Sequence, residues 1–280
     1  DEAHRLNEKS GLMGNLGENQ IKEIIHAALF SIFFIDERQK ITVKDIGSIK
    51  EIKKWAQYHK AEIYGGELQS QFRCNGSDGY LAWIDHILQI RETANTTFDK
   101  DFDYDFRIID SPNELRDLII EKNKINNRAR LLAGYCWDWD SQNKNNPNHF
   151  DIKIPEHDFA MAWNLGNTDT YAIDPESVNQ VGCIHTSQGL EFDYVGVIIG
   201  DDIRYEDGKI ITDITKRANT DASIKGLKSM IRTNPDKAKE IADEIIKNTY
   251  RTLMTRGQKG CYVYVVNQDL KGNIVNGLMG

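Results

Sequence analysis

Two hydrophobic rhythms alternate along the chain. In residues 18–29 (ENQIKEIIHAAL), Ile21, Ile24, Ile25, Ala28 and Leu29 share one helical face. Phe30 to Ile35 (FSIFFI) then reads as a buried strand, stopped by Asp36-Glu37-Arg38-Gln39. A second amphipathic helix is expected over roughly 43–59, and a short strand at Ala61 to Tyr64 precedes Gly65-Gly66, a candidate hinge. The run Leu68 to Cys74 (LQSQFRC) leads into a helix from about Asp78 to Ile90. Beyond it the pattern predicts a strand at 106–109, a helix at 112–126 and a strand at 130–135. The stretch 141–148 (SQNKNNPN) reads as a loop. Strands follow at 181–186 and 194–199. Asn234 is a candidate N-cap for a helix opened by Pro235, with Ala238, Ile241, Ala242, Ile245 and Ile246 as its apolar stripe. Gly257 is its expected stop, and a last strand runs over 261–266.

Strands alternating with helices imply an α/β layered fold around a mostly parallel sheet. In such sheets chemistry gathers beyond the carboxyl ends of the strands, so polar clusters at strand ends are the candidate sites. The 280 residues leave room for one large or two ordinary domains, and 40% apolar with 28% charged residues gives a foldable chain rather than a disordered one. No apolar run approaches the length of a membrane span. Cys74, Cys136, Cys183 and Cys261 have no paired metal-ligand spacing, so zinc is not expected, and reduced thiols suit a cytoplasmic location. A net charge of −8 argues against indiscriminate nucleic-acid binding but leaves room for a local basic groove.

Five polar clusters follow strands or open them. The chain begins DEAHRLN, where Asp1 and Glu2 have the residue types that hold Mg²⁺ and polarise a water in nucleotide hydrolases. FFIDERQ places Asp36 and Gln39 after an apolar run; Gln39 suits a phosphate or an attacking water, and the plain alternative is a capped turn. QSQFRC presents Arg73, whose planar fork matches phosphate, although a surface ion pair is the usual use of such an arginine. CIHTSQGLEFDYVGVII (183–199) is the longest: His185, Thr186, Ser187 and Gln188, then Gly189 for close backbone approach, then Glu191 as acceptor for a ribose hydroxyl. NTYRTLMTRGQKG carries Arg251 and Arg256 near a helix end, where a cation also simply complements the helix dipole. Lys225, Lys228 and Arg232 would share a face of a helix over roughly 221–232, and Trp137, Trp139 and Trp163 are candidate stacking platforms for bases.

In this order the clusters resemble motifs II to VI of superfamily 1 helicases. DEAHRL, FFIDERQ, LLAGYCWDW (131–139), MAWN (161–164), HTSQGLEFDYVGVIIG and NTYRTLMTRGQKG resemble more specifically the bacterial Schlafen-like helicase domain, long catalogued as a domain of unknown function. The resemblance implies a RecA-like P-loop NTPase architecture. Residues 1–62 would be the rear of a first lobe, and residues 65–280 a second lobe with an inserted segment around 136–180. It implies ATP and Mg²⁺ as ligands: Asp1 orders the metal, Glu2 is the general base, Gln39 senses the γ-phosphate, Arg73 and Arg256 are arginine fingers, and Gly189 and Glu191 meet the nucleotide. It also implies single-stranded DNA or RNA as partner, met by His185, Thr186 and Gln188 and by the basic set Lys225, Lys228 and Arg232, while His4 couples the two sites. A fused or associated nuclease or defence component is the further kind of partner it suggests, and no membrane. Cys183 and Gln188 depart from the Thr and Lys that many relatives carry.

No G-x-x-x-x-G-K-[ST] phosphate loop occurs in these residues. The expectation is therefore a C-terminal part of an ATP-dependent helicase or translocase, inactive toward ATP by itself. The competing reading is a nucleotide-regulated, nucleic-acid-binding switch or scaffold without unwinding.

Overall fold

The computed structural model describes residues 1–10, 16–67, 74, 77–99, 103–166 and 170–279. In chain order the helices are α1 (Gln20–Ala27), α2 (Ile49–Tyr58), α3 (Asp78–Ile87), α4 (Pro112–Asn126), α5 (Ile184–Ser187), α6 (Leu227–Thr233), α7 (Pro235–Met254) and α8 (Gln268–Met279). The strands are β1 (Asp105–Ile108), β2 (Ala129–Ala133), β3 (Ile152–Ile154), β4 (Phe159–Trp163), β5 (Gln180–Gly182), β6 (Phe192–Ile199), β7 (Ile203–Glu206), β8 (Lys209–Thr212) and β9 (Gly257–Val265). The chain forms two compact units, residues 1–69 with 222–248 and residues 70–221 with 249–280. Residues 222–248 thus group with the N-terminal piece, a partition that a division drawn along the chain does not contain.

The first unit holds α1, α2 and α6. Asn19 caps α1 by accepting from the Ile21 and Lys22 amides, and Ser48 caps α2 by accepting from Glu51 N. The second helix therefore starts at residue 49 rather than 43, because Asp45 holds the preceding turn by accepting from the amides of Ile41 and Thr42. The strand expected at 30–35 does not form, nor does the one at 61–64. Phe30, Ile32 and Phe34 are 78%, 63% and 52% exposed, on alternate positions of an extended segment. A ladder needs a neighbouring strand, and the described residues of this unit contain none; the segment is tied instead by Ala3 N donating to Phe34 O at 2.9 Å and Ser31 Oγ donating to Ile24 O at 3.5 Å.

The second unit is built on a seven-stranded sheet in the order β1-β9-β6-β2-β5-β4-β3. Every pairing is parallel except β3 with β4. The central strands read as continuous apolar runs, LLA in β2, VGVII in β6 and CYVYV in β9, because both faces are covered. On one face Leu115 and Ile119 of α4 lie so close to Gly196 that a Cβ there would fall 2.7 Å from Ile119 Cγ1. Gly257 opens β9 rather than stopping α7; its hydrogen sits where a Cβ would come 2.2 Å from Gly260 O. A separate hairpin, β7 with β8, turns at Asp207-Gly208, both at positive φ.

Arg130 in β2 is fully buried and has no carboxylate among its hydrogen-bond partners. Its guanidinium donates to Ser177 Oγ at 2.6 Å, Asn123 Oδ1 at 2.7 Å, Asp174 O at 2.9 Å and the carbonyls of Tyr171 and Ala172. It ties the 170–179 segment to the end of α4. Removing it strands several buried acceptors, each costing about 1–3 kcal/mol. Arg130→Met is expected to lose roughly 3–5 kcal/mol in denaturant unfolding. Arg130→Lys, lacking the fork, should recover less than half of that; wild-type stability in either variant would refute the assignment.

Candidate functional site

In the first unit the DEAH stretch folds as a single 3-10 turn, Ala3–Arg5, entered through Glu2 in the left-handed region at φ +52°. This conformation is uncommon for a residue with a Cβ and brings the Glu2 carboxylate back over the turn. Glu2 Oε2 stands 3.2 Å from Nε2 of His4, which is 1% exposed. Burial lowers the His4 pKa, partly opposed by the nearby Glu2 and Asp36 carboxylates, so the ring is neutral at pH 7. Asp1 is exposed and accepts from Glu2 N at 2.9 Å. Asp36 caps a second 3-10 turn through Arg38 N and accepts from Nε2 of buried Gln39 at 3.1 Å. The fold thus brings Glu2, His4, Asp36 and Gln39 into one cluster, with the Gln39 amide turned to Asp36.

Gly47 is the part of this cluster that sequence reasoning missed. A Cβ on it would lie 1.8 Å from Ala3 O and 2.6 Å from His4 Cα. Only a residue without a side chain lets the 46–47 backbone lie under the DEAH turn, where Ile46 N donates to Leu6 O. A single glycine between Ile46 and Ser48 carries no signal of such a contact.

In the second unit β5 ends at Gly182 and the chain enters α5 at once. Thr186 is buried; its hydroxyl accepts from Cys183 N at 2.7 Å and donates to Cys183 O at 2.9 Å, closing the turn. His185 is exposed beside the Tyr135 ring, Gln188 is half-buried, and Gly189 turns the chain at φ +81° with open space around it. Glu191 is exposed. Arg256 is 1% exposed; its Nε donates to Thr252 O at 3.1 Å and its Nη1 to Leu190 O at 3.4 Å, while Phe192 N donates to Arg256 O. The fourth and fifth clusters of the sequence therefore meet. They meet at the amino ends of β6 and β9, where Phe192 is paired with Gly257, and not at the carboxyl ends to which the general rule pointed. His185 and Thr186 do lie at the carboxyl end of β5.

Other expectations change. Arg73 lies outside the described residues. Arg251 is an ion-pair residue, buried against Asp85, which also binds Arg91 at 2.7 Å. The basic helical face shrinks: α6 begins at Leu227, Gly226 at φ +97° breaks the chain before it, and Lys225 is outside the helix. Lys228 and Arg232 alone keep a shared helical face, and all three residues are exposed. Trp163 is completely buried against Tyr135, with ring centres 4.5 Å apart, so it belongs to the core. None of the four cysteines takes part in a disulfide. No helix among the described residues is long and apolar enough to cross a membrane.

A mostly parallel sheet flanked by helices, with these clusters in this order, is the α/β architecture of RecA-like helicase domains. Residues 1–267 match the Schlafen group 3 DNA/RNA helicase domain, and the chain belongs to that family. It is also 24% identical, over 98% of its length, to an uncharacterized protein of Saccharomyces cerevisiae. The chain spans 63% of the length of that curated relative.

Two outcomes follow from the first unit. Gly47→Ala should displace the Glu2–His4 turn: the His4 ring resonances shift and the unit loses about 1–3 kcal/mol, as overpacking costs. Unchanged His4 signals would refute the close approach. Burial also raises the Asp45 carboxyl from its ordinary 3.8 to about 6, despite the amides of Ile41 and Thr42. A raised folded pKa means that stability is fully present below about 3.8 and is lost as pH rises through about 6. Asp45→Asn, which keeps the acceptor oxygen, should abolish that slope and add up to about 3 kcal/mol at pH 7, read by urea unfolding at several pH values.

Proposed function

We propose that these residues are the part of an ATP-dependent superfamily 1 helicase or translocase that carries motifs II to VI, coupling ATP hydrolysis to movement on single-stranded DNA or RNA. The observation that carries the reading is the junction of Arg256 with the 187–191 loop, in a chain whose family is a DNA/RNA helicase domain. It puts a guanidinium beside the backbone that bears Gly189 and Glu191, so a cation and a hydroxyl acceptor serve one nucleotide.

The roles follow from chemistry. The exposed Asp1 supplies a hard carboxylate oxygen of the kind Mg²⁺ takes together with phosphate oxygens. Magnesium-bound ATP supplies the γ-phosphoryl group and a neutralised leaving group. Glu2, beside a neutral His4, accepts the proton of the attacking water. Gln39 orients that water or the γ-phosphate, Arg73 and Arg256 offset charge on the transferring group, and Glu191 accepts from the ribose. His185 and Gln188, with Lys225, Lys228 and Arg232, meet the strand; Thr186 acts through the backbone of its turn, because its hydroxyl is used within it.

One observation favours a second reading, a nucleotide-regulated switch without unwinding. Arg256 is buried, with Nε and Nη1 held by two carbonyls, so its guanidinium must be uncovered before it meets a phosphate.

ATP turnover by the full-length protein, with and without single-stranded DNA or RNA, separates the two. Stimulation by one strand type, lost about 100-fold or more in Glu2→Gln, is the expected result. Residues 1–280 alone, which contain no phosphate loop, should turn over no ATP. A folded full-length protein that binds nucleotide but shows no strand-stimulated turnover sinks the motor and leaves the switch.

A further inference from the structure

The carboxyl ends of the central strands converge on a cavity of about 440 Å³ that none of the roles above uses. Cys136 and Trp137 reach it just after β2, Asp201 just after β6, and Val266 directly after β9. This is the edge at which open α/β sheets hold their ligands. The cavity lies within the second unit, inside the LLAGYCWDW stretch that the nucleotide chemistry leaves unexplained.

Its floor is rigid. Arg217 is buried between two carboxylates, with Nη1 3.1 Å from Asp202 Oδ2 and Nη2 2.6 Å from Asp221 Oδ2. Tyr250 Oη donates to Asp202 and accepts from Gly200 N at 3.0 Å. The same hydroxyl lies where a Cβ on Gly134 would come within 2.0 Å. Gly200 in turn sits against Cys136, so the backbone beneath Trp137 is packed from both sides.

Trp137 stands on that floor. Its Nε1 donates to Lys153 O at 3.1 Å, which fixes the ring plane, and the ring is only partly covered. Trp139 is a different case: its Nε1 donates to Trp163 O and it does not line the cavity. The rim mixes charges, Lys153 and Lys216 against Asp138, Glu156 and Asp201. Asp138 already accepts from Asn219 N at 2.7 Å and Thr220 N. Three carboxylates disfavour a phosphate inside, yet they accept hydrogen bonds from the ring and amino N–H groups of a base. The two lysines suit the flanking phosphates outside. Tyr135, two residues before Trp137, faces the exposed His185 at 6.2 Å between ring centres, so a strand passing His185 runs along the same edge.

We propose that this cavity is a subsite for one unpaired nucleobase of a single strand, stacked on Trp137 with its polar edge toward the rim carboxylates. The site rests on the reading that the protein binds single-stranded nucleic acid. A stacking platform of fixed orientation contributes affinity without sequence readout, because every base has a π-face.

The test compares a short fluorescein-labelled single strand, as DNA and as RNA, with an abasic strand of equal length and charge, by anisotropy. Wild-type protein should bind the normal strand about tenfold more tightly, the size of one base–aromatic stack. Trp137→Leu should lose that difference while keeping affinity for the abasic strand, and Trp137→Phe should restore most of it. Trp139→Phe should change neither. Equal affinity of wild-type protein for normal and abasic strands, or an undiminished difference in Trp137→Leu, overturns the subsite and leaves the helicase reading standing. No binding of either strand by the full-length protein overturns both.

Discussion

Parallel pairing of β2, β6 and β9 is the constraint on which the rest of the second unit depends. Parallel neighbours cannot be joined by a tight turn, so each connection must cross back over a face of the sheet. The crossing segments sort the chain into two edges. Residues 190–192 and 256–257 enter their strands side by side, which is why Arg256 bonds Leu190. Residues 134–137, 200–202 and 266 leave theirs side by side, which is why Trp137 stands over a shared cavity. Two clusters distant in sequence become neighbours for the same topological reason, on opposite edges.

Close backbone approach is the second theme. Gly134 admits the Tyr250 hydroxyl, Gly200 admits Cys136, and Gly47 admits the DEAH turn. In the second unit the missing Cβ joins stretches that carry the family resemblance, AGYC to NTYR and the end of HTSQGLEFDYVGVIIG to YCW; in the first it joins DEAH to the turn before α2, which lies outside those stretches. The buried charges then hold these junctions. Asp202 and Asp221 keep the Arg217 guanidinium protonated and raise its pKa against the cost of burial, and breaking such a set would leave an uncompensated charge inside. Tyr250 is held in its neutral form by burial and by Asp202 beside it.

Glu2 is held over His4 by a left-handed backbone, a poised arrangement with its carboxylate half-exposed. Arg256 and Gln39 are instead turned inward, toward carbonyls and toward Asp36. Both side chains would have to turn outward to meet a nucleotide, whereas Trp137, the proposed platform, is already partly exposed.

Much of this was legible in the linear pattern. The α4 boundaries, the strand cores of β2, β6 and β9, and the start of α7 at Pro235 follow from apolar periodicity and local capping, which are short-range effects. So does the family, because its motifs are contiguous words. The pattern failed where the answer depends on a partner elsewhere in space. FSIFFI has a strand's composition but no ladder among the described residues of its unit, so its apolar side chains stay exposed. Lys225 lost its place on a helical face to a left-handed glycine, and Thr186 spent its hydroxyl on its own turn. The sequence alone determined which residues could do nucleotide and strand chemistry. The tertiary structure alone decided which of them meet, because sheet order and backbone approach are set by packing between segments that share no local signal.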